Sequence, residues 1–271
     1  PTSHHEEGAV KYISENFVSS ASVEHASVDH VSFLEQFGYL PDRKSMPESF
    51  VHEEHDISEA LSTMQMMYNI PVTGELDELT LGAMRMPRCG VADHMHSGYK
   101  SGLRIVRNKR YALEGSKWNK TTITYSVTRY TSKIPMHQVD QVIKESFGMW
   151  AAVTPLNFVN KGYYKLDADI IIFWAYGAHG DSTVFRGKGG LLAHCFYPRY
   201  GGDAHFDEAE DWMIGKGPYM TVNLIQVMTH ELGHGLGLLH SQNYKAVMAP
   251  AYFGFNPNFR LQQDDIQGIQ S

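Results

Sequence analysis

The run His230-Glu231-Leu232-Gly233-His234-Gly235-Leu236-Gly237-Leu238-Leu239-His240 constrains this chain more than any other stretch. Residues four apart on a helix project from one face a turn apart, so the imidazoles of His230 and His234 can reach one ion. Glu231 lies beside the first, where a carboxylate can hold a water against that ion. Gly237 tolerates left-handed backbone angles, so the helix can stop and the chain turn back. His240 then arrives from outside the helix as a third ligand. Three nitrogens leave one tetrahedral position open for water, which is what a catalytic zinc needs. Surface histidines on an ordinary helix have no reason to keep this spacing, and the full pattern is far more restrictive than its first five residues.

The 271 residues suit one or two domains, and 42% hydrophobic with 20% charged side chains is a globular composition with no apolar run near a membrane span's length. A net charge of −7 argues against nucleic acid as a partner. The charge is uneven: residues 1–110 hold 16 acidic and 10 basic side chains, residues 111–271 hold 14 and 13. Two units with different jobs are expected. Pro1 is not an initiator Met and no signal-like stretch follows it, so a targeting segment is expected to have been removed. Two cysteines, Cys89 and Cys195, allow one disulfide at most.

Residues 1–8 read as a disordered leader. Helical spacing of Val10, Ile13 and Phe17, then of Val28, Val31, Phe33, Leu34 and Phe37 closed by Gly38, predicts two helices. Asp56 is a candidate cap for a helix through Ile57, Leu61, Met64 and Tyr68, and Asp77 for one through Leu79 to Met84. The methionines Met64, Met66, Met67, Met84 and Met86 suit the packing of a small bundle. Next comes Pro87-Arg88-Cys89-Gly90-Val91-Ala92-Asp93. A thiolate in such an extended segment is a good fourth zinc ligand and would displace a catalytic water. Arg107-Asn108-Lys109-Arg110 has the form cut by secretory-pathway proprotein convertases, with a solvated basic run as the other reading. Its place between Cys89 and the second charge regime favours cleavage after Arg110 and a new N-terminus at Tyr111.

Beyond it, residues 121–127, 168–175 and 191–196 read as strands, 136–152, 220–235 and 262–270 as helices, an α+β arrangement. Asn119-Lys120-Thr121 is an N-glycosylation sequon, meaningful in a secreted chain. His179, Asp181, His194 and His205 would fill a zinc tetrahedron, giving a closed structural site, although their long spacing leaves scattered surface histidines open as the other reading.

These motifs together resemble the matrix metalloproteinases in zymogen form: a helical leader, PRCGVAD, HGD…H…H, the long zinc motif followed by Ser241, and Val247-Met248-Ala249-Pro250 with Tyr252. The resemblance implies an α+β fold, with a helical-bundle propeptide and activation linker over 1–110. A metzincin catalytic domain would follow over 111–271, a twisted, mostly parallel sheet with three helices. It implies a secreted zinc endopeptidase, with His230, His234 and His240 on the catalytic zinc, Cys89 on that zinc in the zymogen, Glu231 as base, and His179, Asp181, His194 and His205 on a structural zinc. Met248 marks the Met-turn. Ala193, Gln226, Pro250 and Tyr252 would line the substrate cleft, a polar Gln226 altering the pocket for the side chain after the scissile bond.

The implied partners are extracellular matrix peptides and proteins, an activating convertase and proteinaceous metalloproteinase inhibitors, acting on a monomer. For a chain without a propeller-type domain, the resemblance implies small peptides and unwound matrix proteins as substrates, rather than triple-helical collagen. Asp169 and Asp203, with carbonyls near Arg199 and Gly201, match one calcium site of the family. Gly187, Gly189, Leu191, Asp207 and Glu210 match a second. There, however, Arg186 stands where relatives have an aspartate, and the expectation is that Arg186 pairs with Asp207 and Glu210 in the cation's place. Reduced calcium dependence follows. The competing reading, a non-catalytic protein-binding relative, is disfavoured by the intact Glu231.

Overall fold

The computed structural model describes residues 4–18, 28–94, 113–218 and 220–271. Their contacts form two compact units. One lies within Pro1–Met86, Val91–Asn108 and Gln242–Tyr244, the other within Pro87–Gly90, Lys109–Ser241 and Lys245–Ser271. The segment Pro87–Gly90 thus groups with the later part of the chain.

The first unit is helical: α1 (His4–Ile13), continued by a π turn over Ser14–Val18, α2 (His30–Gln36), α3 (Glu54–Met67) and α4 (Glu78–Met84). Residues 4–8, read from the sequence as leader, are the first turns of α1, and Ala9 just after them is fully buried. Asp29 starts α2, its carboxylate accepting from the Ser32 N–H at 3.1 Å. Asp56 does not sit at the cap of α3. Glu53 holds that position, and Asp56 closes a capping box from inside the first turn by accepting from the Glu53 N–H. Met64, Met67, Met84 and Met86 are buried as expected, whereas Met66 lies on the solvent face. Gly82 brings α4 onto α1, since a Cβ there would meet Ile13 Cγ2 at 2.9 Å.

Gln65, fully buried on α3, ties the α3–α4 connection together. Its amide nitrogen donates to Thr73 Oγ1, the Glu75 carbonyl and Thr80 Oγ1, while its oxygen accepts from the Thr73 and Gly74 N–H groups. A buried amide satisfied on both ends specifies one loop conformation.

In the second unit, β1 (Arg88–Cys89), β2 (Thr122–Arg129), β3 (Asn157–Asn160), β4 (Ile170–Ala175), β5 (Leu191–Cys195) and β6 (Ala204–Asp207) form a sheet in the order β1-β5-β6-β4-β2-β3. Every pairing is parallel except β5 with β6. On β4, Ile170, Ile172 and Trp174 are fully buried in the core. The intervening Phe173 shares the other face with His205. Helices α5 (Met136–Ala151) and α6 (Leu224–Gly235) supply Val139, Ile143, Phe147, Trp150, Met228 and Leu232 to the same core. Between those helices the Trp150 indole donates to the Thr229 carbonyl at 2.9 Å. Helix α7 (Gln263–Ile269) follows, so among the described residues this unit has three α-helices and a mostly parallel sheet.

Helix α6 starts later than residue 220. Met220 has φ 68°, and Asn223 caps the helix by accepting from the Gln226 N–H. A short pair, β7 (Trp212–Met213) and β8 (Val222–Asn223), precedes it. Among the described residues no helix is long and apolar enough to cross a membrane.

The cap of α4 gives a test. Asp77 accepts from the Thr80 N–H at 2.8 Å. Burial raises its carboxyl, but the bonds from Thr80 and Thr73 outweigh that and hold it below the ordinary value of 3.8. Asp77→Ala is expected to destabilise the chain by about 1 kcal/mol at neutral pH in denaturant unfolding. Because folding lowers this pKa, the contribution is present above 3.8 and is lost as pH falls through the folded value. Variant and wild type should converge in that acid window.

Candidate active site and metal centres

Two clusters of ligand-type side chains exist among the described residues: Cys89, His230, His234 and His240, all buried, and His179, Asp181, His194 and His205. In the first, the helical i, i+4 spacing places His230 Nε2 and His234 Nε2 3.1 Å apart. Beyond them Leu236 ends α6 and Gly237 turns at φ 103°, where a Cβ would lie 2.5 Å from the Ser116 carbonyl. That turn brings His240 Nε2 to 3.2 Å from His230 Nε2.

Carbonyls on the far sides of the rings set their tautomers. His230 Nδ1 lies 2.7 Å from the Val247 oxygen and His234 Nδ1 2.7 Å from the Leu238 oxygen, so each Nδ1 carries the proton. The Nε2 lone pairs of these two rings therefore point inward at each other, which is repulsive unless a cation lies between them. Tetrahedral zinc at 2.0–2.1 Å from nitrogen would set ligand nitrogens about 3.3 Å apart, and a sulfur at 2.3 Å would lie about 3.6 Å from each. Cys89 Sγ is 3.5 Å from His234 Nε2. The donor set, its spacing and its tautomers fit zinc.

Glu231 is fully buried beside these ligands. Its Oε2 accepts from the Cys89 thiol at 3.4 Å, and its Oε1 is buried without a hydrogen-bond partner. Burial drives its carboxyl up to about 8, against a lowering contribution from Cys89. A carboxyl raised this far is largely protonated at neutral pH, and a cation held by the neighbouring histidines would favour the ionised form, which is the one that accepts a proton.

Cys89 reaches the cluster because Pro87–Gly90 lies extended between β5 and the segment at 250–252. β1 pairs in parallel with β5, Cys89 opposite Ala193, and Arg88 forms an antiparallel bridge with Ala251. Arg88 N–H donates to the Gly190 carbonyl at 3.1 Å, Cys89 N–H to Pro250 at 3.0 Å, and Gly90 N–H to Ala193 at 2.8 Å. Tyr252 N–H in turn donates to the Pro87 carbonyl at 2.8 Å. The carbonyls of Ala193 and Pro250, two residues expected to line the substrate cleft, are thus engaged by the chain's own backbone. Cys195 lies on the opposite face of β5 from His194, packed towards Gly235, and no disulfide joins it to Cys89.

The second cluster converges on one oxygen. Asp181 Oδ2 lies 3.1 Å from His179 Nε2, 3.0 Å from His194 Nε2 and 2.8 Å from His205 Nδ1. His194 and His205 face each other across β5 and β6 as register partners. Burial, reinforced by the neighbouring His194, brings His205 down to about 4, and burial lowers His194 as well. Both rings stay neutral, the form that ligates metal. Three imidazoles and a carboxylate with no open position suit a structural zinc.

The wall opposite α6 is held by bonds that the sequence did not disclose. Tyr252 OH accepts from the Asn223 N–H at 3.0 Å. Gln226 grips the following loop at both ends of its amide: Nε2 donates to the Gly254 carbonyl at 3.0 Å, and Oε1 accepts from the Asn256 N–H at 2.8 Å. Buried Asp265, on α7, accepts from the Val247 and Met248 N–H groups at 3.0 Å each. It thereby fixes both the Met-turn and the Val247 carbonyl that orients His230. Met248 packs so closely on Gly233 that a Cβ there would collide with its sulfur. The only sequence signal for Asp265 was its place three residues after the capping Gln262.

The expected calcium ligands fare differently. At the first site, Asp169 is bonded by Lys120 Nζ at 2.5 Å and by the Thr124 N–H and hydroxyl. Asp203 accepts from the Ile171 N–H, and the Arg199 guanidinium pairs with Glu114 at 2.7 Å. At the second, Gly187 N–H donates to Asp207 and Gly189 N–H to Glu210, while Leu191 opens β5. Arg186 does not substitute for a cation there. It is exposed and forms no ion pair among the described residues, because the positive-φ turns at Gly187 and Gly189 aim backbone N–H groups, not the guanidinium, at those carboxylates. The loop's ion pair is Lys188 with Asp211, at 2.6 Å. Burial raises Asp207 and brings Glu210 up to about 7. Arg110 and Tyr111 lie outside the described residues.

Residues 117–271 match the matrixin family, Peptidase_M10. The chain is 42% identical over 258 residues to matrix metalloproteinase-15 of Homo sapiens, covering 92% of this chain and 38% of that protein. It is 42% identical over 246 residues to matrix metalloproteinase-16 of Mus musculus, 88% and 40% of the two chains, and 43% identical over 238 residues to macrophage metalloelastase of Rattus norvegicus, 87% and 47%. The chain therefore spans less than half the length of these curated relatives. With two zinc-fitting clusters on a mostly parallel sheet, the chain belongs to the matrixin family, and residues 117–271 form a zinc metalloendopeptidase domain.

Proposed function

We propose that the chain is the latent form of a secreted zinc endopeptidase that cleaves extracellular matrix and other extracellular proteins. Residues 1–110 are its propeptide and 111–271 its catalytic domain. The observation that carries this reading is the meeting of Cys89, the three zinc-type histidines and the unpartnered oxygen of Glu231 where Pro87–Gly90 pairs with β5.

Zinc held by His230, His234 and His240 would supply a Lewis acid for the scissile carbonyl and for its attacking water. Glu231 takes that water's proton on its buried carboxylate and returns it to the leaving amine. The Ala193 and Pro250 carbonyls hold an extended peptide by its backbone N–H groups, as β-strand addition requires. While Cys89 remains, its sulfur would be the fourth ligand in place of water. Cleavage after Arg110 by a convertase lets that segment leave. His179, Asp181, His194 and His205 hold a second, structural zinc that fastens the loop after β4 to β5 and β6. Protein inhibitors compete for the same cleft.

Three outcomes are expected. On a quenched peptide, after cleavage at Arg110, Glu231→Ala should fall about 10²–10⁴-fold in kcat, the range for loss of a general base. Rates equal to wild type would overturn the mechanism. Cys89→Ser should hydrolyse the peptide in the uncleaved chain, and a fully silent variant that still binds two zinc ions would refute this latency. Gln226→Ala, which removes both bonds to the loop at 254–256, should broaden the accepted side chain after the scissile bond in a peptide-library digest. An unchanged profile would show that Gln226 does not set this pocket.

A further inference from the structure

The sequon Asn119-Lys120-Thr121 takes no part in the hydrolytic site, and its surroundings single it out. Of the ten asparagines, only Asn119 has a hydroxyl residue two positions on with a non-proline between. It lies exposed on a bend just before β2, and Thr121 is exposed with it. Several other asparagine side chains are committed: Asn16 to the Tyr12 carbonyl, Asn69 to the Gln242 carbonyl, Asn223 to the cap of α6, Asn256 to the Asn258 N–H. Among the described residues the Asn119 carboxamide makes no hydrogen bond.

The turn does not depend on that carboxamide. On one side the Trp118 indole donates to the Gly235 carbonyl at 2.8 Å and packs on Gly202. On the other, Lys120 pairs with Asp169 and the Thr121 carbonyl accepts from the Asn157 N–H at 2.8 Å. Asn119 thus projects from a turn pinned at both ends, where a large substituent displaces no internal contact. β2 lies three places from β5 in the sheet order. At about 4.8 Å per strand this is about 14 Å from the edge that holds the peptide.

We infer that Asn119 is a glycan attachment site, modified as the chain passes through a secretory compartment. The acceptor nitrogen Nδ2 forms a bond to the anomeric carbon of the first sugar of a lipid-pyrophosphate-linked oligosaccharide. The bond from that carbon to the pyrophosphate breaks and the lipid pyrophosphate leaves. One amide proton passes to a base of the transferase, and nothing is oxidised or reduced. The site rests on the extracellular destination proposed above, so its test supplies that destination independently.

The full chain, carried by a heterologous signal peptide, is secreted from a eukaryotic host and its intact mass measured before and after peptide-N-glycosidase. Wild type should carry an oligosaccharide mass that the enzyme removes, leaving aspartate at position 119 in the peptide map. Asn119→Gln and Thr121→Ala should be secreted at the bare mass, and Thr121→Ser should keep the modification. Unmodified wild-type protein from the same secretory route would overturn the assignment, as would a glycan that survives Asn119→Gln. Peptide hydrolysis is read separately on the same samples and should not differ between wild type and Asn119→Gln, so failure of the protease reading and failure of the glycan remain distinct results.

Discussion

Inward-facing lone pairs are the interaction on which the second unit depends. His230 and His234 each give their Nδ1 proton to a backbone carbonyl, Val247 and Leu238, and so have no choice but to aim Nε2 at the other ligands. The arrangement is unfavourable without a cation and strongly favourable with one, so metal affinity and local folding are a single equilibrium. Much of the nearby architecture keeps those two carbonyls in place. Asp265 holds the Met-turn that carries Val247, and Gly237 makes the turn that presents Leu238 and His240.

The same economy appears at the sheet edge. β5 serves two faces: His194 joins the cluster on one, and Cys195 packs against α6 on the other. Its free edge is covered by Pro87–Gly90, whose backbone bonds to Gly190, Ala193 and Pro250 bring a thiol to the histidines. An extended segment that satisfies an exposed edge by main-chain bonding needs little sequence of its own, which is why so short a motif suffices.

Much of this was legible beforehand because ligand spacing on a helix is fixed by its pitch. The pairing of His230 with His234 follows from helix geometry alone, and the break before His240 from glycine's tolerance of a left-handed backbone at Gly237. The Asp77 cap and the buried alternation of β4 were read from residue types with strong local preferences. The cap of α3 was not, because Glu53 and Asp56 compete for one role and only the backbone path decides between them. Arg186 misled for a related reason. A charge swap in sequence says nothing about which way the loop turns, and the glycines at 187 and 189 turn it away.

The sequence by itself determined the three-histidine set, the carboxylate beside it and the family, since each depends on residue identity at short, rigid spacings. The grouping of Cys89 with those histidines, and of Asp181 with the other three, was expected beforehand from the motifs. Tertiary structure alone decided which backbone groups distant side chains hold: it brought Asp265 to the Met-turn and Gln226 to Gly254 and Asn256. The physical reason is the same in both cases. A hydrogen bond across tens of residues depends on how strands and helices pack, and packing leaves no periodic mark in the sequence to read.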